Sequence, residues 1–238
     1  MTEKHLIKVE NEDSTTEEIS AVHHKASSNK WIFFCHGYGS DKSGSYRKRA
    51  EKAVEEGFNA VRFDFRGNGE SDGEFIDQSL SSRIKDLETC IEFFNPGKIY
   101  LFGMSFGGKV ALHSVEKMDI EGLIFKSPVL FNDEMEKFRS VVDEKGTYTH
   151  FGDKTIDERF FKDFDKYSFE DACEALDIPV IIFHGGEDST VHFESSADAI
   201  KKFDVEASLR KLKGEKHSMS DEAENKLLDE MFYWLEHQ

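Results

Sequence analysis

Apolar residues along the chain fall into short runs that alternate with stretches of helical spacing. The runs at 5–9, 19–24, 31–35, 60–65, 99–102, 122–125, 180–183 and 208–212 have the length and residue types of strands. Helical patterns at 46–55, 79–94, 107–116, 194–203 and 221–237 separate most of them. The first two runs predict an antiparallel pair. The alternation that follows predicts an α/β protein with a mostly parallel eight-stranded sheet flanked by helices.

A serine lies where one apolar run passes directly into a helical pattern. The run 99–102 is followed by Gly103-Met104-Ser105-Phe106-Gly107-Gly108 and then by the helical residues 110–115. This order is typical of a sharp strand-to-helix turn that exposes a nucleophilic hydroxyl to a base. We expect glycine at 103 and 107 because a Cβ there would collide with the neighbouring strand or helix. Ser105 is the candidate nucleophile.

The base must be a histidine that follows an acid in the chain, because the order after such a turn is Ser, then Asp or Glu, then His. Position excludes three of the later histidines: one in the helix after the turn, one before any acid-bearing strand and one next to last, namely His113, His150 and His237. His184 ends the run 180–183 and is expected to pack at the strand end, just before Asp188. His192 lies only four residues after Asp188, which is too close for it to come from a separate loop. His217 remains, so the predicted triad is Ser105, Asp188 and His217.

Each of these residues also has an ordinary interpretation. An Asp after a strand is often a turn former, and a His in a polar loop is often only solvated. Their order, with Asp188 and His217 each just beyond a predicted strand, favours the catalytic interpretation.

Acyl transfer also needs two N–H donors for the oxyanion. The N–H of Phe106, directly after the nucleophile, is one candidate. The second is the N–H of Tyr38 in the loop 36–40, which follows the strand run 31–35. The alternative for this loop is a simple strand-ending turn.

Five motifs in this order resemble the α/β-hydrolase superfamily: His36-Gly37-Tyr38-Gly39, the stretch 64–71, the Ser105 turn, the stretch 184–191, and His217. Within it, the chain is similar to small bacterial and archaeal serine esterases, including the cinnamoyl and feruloyl esterase-like group and monoacylglycerol lipase-like relatives. The resemblance covers almost the whole chain. It implies that the stretch 64–71 is a structural loop supporting the site.

The segment from 130 to 176, called here the cap segment, matches no one substrate group of that family. Its apolar residues suit two amphipathic helices, one with Phe131, Met135, Phe138 and Val141, the other with Ile156, Phe160, Phe161 and Phe164. We expect a small helical cap over the carboxyl edge of the sheet, inserted in a single domain spanning 1–238. Most of these aromatic residues should pin the cap to the core. The candidates for an apolar substrate pocket are Phe138, Phe160, Phe161 and Phe164.

Composition narrows the expectations about partners. The net charge of −17 argues against a nucleic-acid partner, because phosphate binding depends on cationic patches. No apolar run is long enough for a membrane span or the core of a signal peptide, so we expect a cytoplasmic protein without a membrane partner. The three cysteines have neither metal-binding nor C-x-x-C spacing. No metal or organic cofactor is expected, and the sequence leaves the oligomeric state open.

These residues predict a serine carboxylesterase acting on small to medium or aromatic acyl esters. The alternatives are a thioesterase or peptidase using the same triad, and a ligand-binding homologue without turnover. A dehalogenase or an epoxide hydrolase is disfavoured, because those related enzymes have Asp at the turn where this chain has Ser105.

Overall fold

The computed structural model describes residues 1–11, 13–150 and 152–238. Its strands are β1 (Thr2–Glu10), β2 (Thr16–His24), β3 (Lys30–Cys35), β4 (Asn59–Phe63), β5 (Lys98–Met104), β6 (Gly122–Lys126), β7 (Thr147–His150), β8 (Lys154–Asp157), β9 (Val180–Gly185) and β10 (Ala207–Leu212). Its α-helices are α1 (Ser45–Glu55), α2 (Leu80–Phe94), α3 (Phe106–Ser114), α4 (Glu136–Lys145), α5 (Glu158–Phe164), α6 (Phe169–Glu174), α7 (Phe193–Ala199) and α8 (Asp221–Glu236).

Eight strands form one sheet in the order β1-β2-β4-β3-β5-β6-β9-β10. β2 pairs antiparallel with both β1 and β4, and every other neighbouring pair in this sheet is parallel. The predicted mostly parallel eight-stranded α/β fold is therefore confirmed.

Helices cover both faces of the sheet, and alternate residues of each strand point to opposite faces. Phe33 of β3 belongs to the apolar cluster that includes residues of α2 and α3. Its neighbour Phe34 belongs to the cluster on the other face, with residues of α1 and α8. The central strands are consequently apolar on both sides, as expected for buried parallel strands.

The cap segment differs from the prediction of two helices. It contains α4, α5 and α6, together with an antiparallel hairpin of β7 and β8. Ile156, predicted to lie on a helix, lies on β8, and the helix begins at Glu158 after the N-cap Asp157, whose side chain accepts the Arg159 N–H. The hairpin strands are short and largely polar, so their apolar spacing carried little signal. The division into one domain with an inserted cap stays a prediction.

Candidate active site

The nucleophile candidate lies at the turn between β5 and α3. Ser105 has φ 53° and ψ −125°, a conformation that few residues other than glycine adopt. Its N–H donates to the Lys126 carbonyl at 3.1 Å, and its own carbonyl accepts the Val129 N–H at 2.9 Å. The strained backbone of Ser105 is thus held by the segment that leaves β6, the neighbouring strand.

Two glycines allow other chain segments to approach this turn. A Cβ on Gly107 would lie 2.2 Å from the Cys35 carbonyl oxygen, which no real contact permits. A Cβ on Gly37 would lie 3.2 Å from the Ser105 Cβ. The loop after β3 therefore passes directly beside the Ser105 side chain. At Gly103, too, a Cβ would collide with the α3 backbone, so both glycines expected from the sequence are required by close approach.

Asp188 and His217 are joined by a hydrogen bond. The imidazole Nδ1–H of His217 donates to Asp188 Oδ2 at 2.7 Å. The other carboxylate oxygen, Oδ1, accepts the N–H groups of Thr190 at 2.9 Å and Val191 at 3.0 Å. Asp188 follows β9 and His217 follows β10, two parallel neighbours, so both lie at the carboxyl edge of the sheet where β5 also ends.

His184 is buried beside this pair, and both of its ring nitrogens make structural hydrogen bonds. Its Nε2–H donates to the Val191 carbonyl at 2.9 Å, and its Nδ1 accepts the Ser196 hydroxyl at 2.7 Å. Burial would raise the pKa of Asp188, but its hydrogen bonds with His184, His217 and Thr190 hold that pKa well below the usual range. The carboxylate therefore remains ionised and accepts the imidazole N–H.

Glu215 and Ser220, which lie on either side of His217 in the chain, are joined by two hydrogen bonds that the sequence analysis did not predict. We call this pair the clamp. The Glu215 carboxylate accepts both the N–H of Ser220 at 2.8 Å and its hydroxyl at 2.7 Å. Ser220 is the N-cap of α8 and its side chain accepts the Ala223 N–H. The sequence did contain a signal for this N-cap, because a serine lies directly before the helical pattern that begins at 221.

Among the hydrogen bonds of the described residues, none joins the Ser105 hydroxyl to His217.

The two predicted oxyanion donors lie on the segments expected for them. None of the hydrogen bonds between described residues uses the N–H of Tyr38 or of Phe106. His36 shapes the Tyr38 loop: its Nδ1–H donates to the Gly37 carbonyl at 2.9 Å, and its Nε2 accepts the Phe65 N–H at 3.1 Å. Burial lowers the pKa of His36 to about 3, so this ring stays neutral and keeps both bonds.

The loop 64–71 carries a buried ion pair, Asp64 with Lys42, which the exposed Glu70 carboxylate joins. Asp64 accepts the backbone N–H of Lys42 at 2.6 Å and the N–H of Glu70 at 2.8 Å, and the Lys42 ammonium contacts Asp64 at 2.5 Å and Glu70 at 2.6 Å. Lys42 follows the Tyr38 loop directly. These contacts join the loop after β4 to the loop after β3, which fits a supporting structural loop.

Three of the four predicted pocket residues lie in the core. Phe160, Phe161 and Phe164 are 1%, 3% and 0% exposed. The Phe160 and Phe164 rings lie 5.7 and 6.0 Å from the ring of Phe106. These rings therefore pack behind a candidate oxyanion residue, as most cap aromatics were expected to do. Phe138 is only partly buried and packs against Tyr148, with ring centroids 4.7 Å apart.

Two surface cavities lie near this edge of the sheet. The larger, of about 740 Å³, lies between the Asp188 turn and the cap segment and is lined by Ser189, Thr190, Val191, His192, Phe131, Glu134 and Lys137, among others. The second, of about 470 Å³, lies between the loop after β4 and residues 153–155. Neither cavity is lined by any of the four predicted pocket phenylalanines.

The described residues show neither a metal-binding cluster nor a helix suited to crossing a membrane. In residues 1–11, 13–150 and 152–238, no cluster of three or more His, Cys, Asp or Glu side chains is arranged to hold a metal ion. None of the described helices combines the length and the apolar character that a membrane crossing requires.

Residues 26–148, more than half of the chain, match the serine aminopeptidase S33 family, Hydrolase_4. The chain belongs to this family. The protein is therefore a serine hydrolase with the α/β-hydrolase fold, and the predicted membership of the α/β-hydrolase superfamily is confirmed.

Several known proteins are similar to this hydrolase in sequence or in fold. It is 28% identical over 215 residues to palmitoyl-protein thioesterase ABHD10, mitochondrial, of Pongo abelii, an alignment covering 83% of this chain and 70% of that protein. Its fold is similar to that of Est1E from Butyrivibrio proteoclasticus, solved with ferulic acid bound, at TM-score 0.79 and 19% identity over 91% of this chain and 95% of that one. It is also similar to Paleococcus ferrophilus monoacylglycerol lipase, at TM-score 0.76 and 20% identity over 92% and 98% of the two chains.

Proposed function

We propose that this serine hydrolase is a carboxylesterase that hydrolyses small to medium or aromatic acyl esters through an acyl-enzyme intermediate. The observation that carries the proposal is the 2.7 Å hydrogen bond between Asp188 and His217, made at the sheet edge where the strained Ser105 turn ends β5. A nucleophile, a base and a group that orients the base are the parts that this chemistry requires.

In the proposed mechanism the Ser105 oxygen attacks the ester carbonyl while His217 Nε2 takes the hydroxyl proton. The N–H groups of Phe106 and Tyr38 donate to the oxygen that becomes negative. His217 then returns the proton to the leaving alcohol, and the C–O bond breaks to leave the acyl group on Ser105. Water, deprotonated by His217, repeats the sequence and releases the acid. Asp188 holds the imidazole in the Nδ1–H tautomer throughout.

The hydroxyl-to-imidazole contact is made when substrate enters the site. Catalytic hydrogen bonds often lengthen in an unliganded enzyme and tighten in the complex with substrate. We further propose that one side of the ester occupies the cavity of about 740 Å³ beside the Asp188 turn. A volume between about 300 and 1,000 Å³ suits a small-molecule ligand.

A thioesterase is the second candidate. The similarity to palmitoyl-protein thioesterase ABHD10 favours it, and the same acyl-enzyme steps cleave a thioester. The two candidates differ in the leaving group that His217 protonates, and therefore in the substrate that gives the higher kcat/KM.

The experiment is a substrate panel with a nucleophile control. It compares p-nitrophenyl acetate, butyrate and octanoate, methyl ferulate, a monoacylglycerol, palmitoyl-CoA and an aminoacyl p-nitroanilide, using wild type and Ser105→Ala. We expect ester hydrolysis by wild type and none by the variant, with matching circular dichroism spectra. A preference for palmitoyl-CoA would favour the thioesterase, and a preference for the anilide a peptidase. Turnover of no substrate would indicate a ligand-binding homologue, and near wild-type turnover by folded Ser105→Ala would exclude Ser105 as the nucleophile.

The partner that we propose is a small-molecule ester, with no role for nucleic acid or membrane. The net charge of −17 supports this, because it repels polyanions at long range. The cytoplasmic location stays a prediction, which fractionation of the native cells would test.

A further inference from the structure

Three charged side chains lie buried together beside the catalytic edge of the sheet. The Glu224 carboxylate receives two cations: Arg49 Nε at 2.5 Å on Oε1 and Lys126 Nζ at 2.5 Å on Oε2. The side chains of Arg49, Lys126 and Glu224 are 0%, 4% and 6% exposed. Burial would raise the pKa of Glu224, but the charges and hydrogen bonds of Arg49 and Lys126 lower it to about 2. The carboxylate is therefore ionised across the working range of an esterase.

Stability alone does not account for such a cluster. Removing charges from water is unfavourable, and apolar side chains of similar volume in place of a buried ion pair are often neutral or stabilising. What a charged contact adds is direction, because hydrogen bonds to a carboxylate oxygen fix distance and angle, whereas apolar side chains can slide past one another.

Lys126 connects the cluster to the nucleophile. It is the last residue of β6, and its carbonyl accepts the Ser105 N–H at 3.1 Å. The two ends of this one residue therefore contact the strained turn and the Glu224 carboxylate.

Glu224 connects the cluster to the base. It lies in the first turn of α8, where its N–H donates to the Ser220 carbonyl at 2.9 Å. Ser220 and Glu215 form the clamp around the His217 loop. The carboxylate is thus one helical turn away from the segment that places the imidazole.

Arg49 connects the cluster to β5, the strand that ends at the nucleophile. It lies on α1, the helix that follows the Tyr38 loop, and its guanidinium lies over the ring of Phe102 at 5.0 Å. Phe102 is on β5, three residues before Ser105. The cluster therefore contacts the nucleophile strand and lies one helical turn from the base loop.

We propose that Glu224 is a positioning residue, which sets the mutual placement of the Ser105 turn and the His217 loop through its contacts with Lys126 and Arg49. The inference rests on the proposed function, since it assigns Ser105 and His217 their catalytic roles. Active-site groups must be held within about 0.5 Å of their productive geometry. A misplacement of about 1 Å can lower the rate about 100-fold.

The test compares Glu224→Gln, Lys126→Met and a triple variant (Arg49→Met, Lys126→Met, Glu224→Leu) with wild type. Asp229→Asn is the matched control, because Asp229 and Lys52 form a 3.7 Å ion pair between the same helices α1 and α8 at the surface. The measurements are thermal midpoint, kcat and KM for p-nitrophenyl butyrate, the rate of Ser105 labelling by a fluorophosphonate, and crystal structures of wild type and variants.

We expect Glu224→Gln to lower kcat and the labelling rate on the order of 100-fold, with KM within about twofold of wild type. The triple variant should regain the wild-type thermal midpoint without regaining kcat. Asp229→Asn should match wild type in every measurement. If Glu224→Gln does not fold, Lys126→Met, which keeps the Arg49–Glu224 pair, should still show the lower labelling rate.

Two results would overturn the positioning role. One is a triple variant that regains kcat together with its thermal midpoint. The other is a set of variant crystal structures in which the Ser105 turn and His217 loop keep their wild-type separation. If wild type itself is neither labelled nor active, the proposed function fails. In that case the crystal structures still decide whether Glu224 positions the two loops.

Discussion

Two regions of the molecule differ in the interactions that stabilise them. One is the carboxyl edge of the sheet, where the proposed catalytic residues lie, called here the catalytic edge, and the other is the cap segment. At the edge, the Ser105 backbone is hydrogen-bonded to Lys126 and Val129, Asp188 accepts two N–H groups of its own turn, and buried ions join the loops. The aromatic part of the cap segment is held by ring packing, as between Phe160 and Phe164, while hydrogen bonds such as the one from the Ser81 N–H to Asp163 at 2.8 Å join the cap segment to α2. Directional contacts fix where atoms lie, whereas ring packing mainly excludes water. Substitutions at the catalytic edge should therefore change the rate of the chemical step, whereas substitutions in the cap segment should change substrate selectivity.

The largest effect should come from the base at the catalytic edge. His217→Ala should lower kcat on the order of 10⁶-fold, because nucleophile and base act as one unit. The measurement is p-nitrophenyl butyrate hydrolysis with purified, folded protein. His192→Ala is the comparison variant and should lower kcat far less, since His192 is exposed at the start of α7; because it lines the larger cavity, its loss should act on KM. An inactive His192→Ala beside an active His217→Ala would show that the base was assigned to the wrong histidine.

Asp188→Asn should give the next largest loss, about 10⁴-fold in kcat with a small change in KM. An amide in place of the carboxylate no longer selects the Nδ1–H tautomer of His217. Steady-state kinetics on two esters of different leaving group would measure it. A drop below tenfold would mean that the Asp188–His217 hydrogen bond supports structure only.

In the cap segment, Phe164→Ala should act mainly on stability. Phe164 is fully buried against Phe106 and Phe160, and truncating such a ring lowers the free energy of unfolding by about 3 to 5 kcal/mol. Urea unfolding gives the value, and Phe93→Ala, at a side chain 50% exposed, is the control. The comparison of the two regions would fail if the folded variant lost p-nitrophenyl acetate hydrolysis to the extent that His217→Ala does.

The smallest effect should be on selectivity, from Phe138→Ala. This side chain is only partly buried in the cap segment, so its removal should alter the ratio of kcat/KM for octanoate or ferulate to that for acetate by about 10 to 200-fold, or 1 to 3 kcal/mol. Stability should change less than in Phe164→Ala. An equal loss on every ester would mean that Phe138 only braces the core.

The centre of the sheet was predictable because β3, β5, β6 and β9 are nearly continuous apolar runs, which are typical of buried parallel strands. The Ser105 turn was predictable because glycine, serine and the strand-to-helix change coincide within a few residues. The hairpin of β7 and β8 was not predicted, since its strands are four residues each and mostly polar. Likewise α7 ends at Ala199, before the predicted end at 203, although the apolar spacing continues to Phe203.

Side-chain partners far apart in sequence were beyond sequence reasoning. Nothing in the local pattern pairs Arg49 with Glu224, which are 175 positions apart. Burial of Phe160, Phe161 and Phe164 also depends on which face of the core the cap segment meets, and helical spacing does not specify that. Order along the chain predicted Asp188 and His217 as a pair, and a hydrogen bond joins them because the topology brings the ends of β9 and β10 together.

The pairing of β6 with β9 has a consequence for how this chain can change length. The two strands are parallel neighbours, with Leu123 opposite Val180, and the whole cap segment lies in the connection between them. For a flexible chain, each doubling of the connection adds only about 0.6 kcal/mol of closure entropy. Closure entropy therefore changes little when this connection is lengthened or shortened, and a change of length costs stability mainly where it removes core contacts of the cap segment, such as that of Phe164 with Phe106. A recombination experiment that exchanges the cap segment therefore has to retain large apolar side chains at 160 and 164, which fill the core beside Phe106.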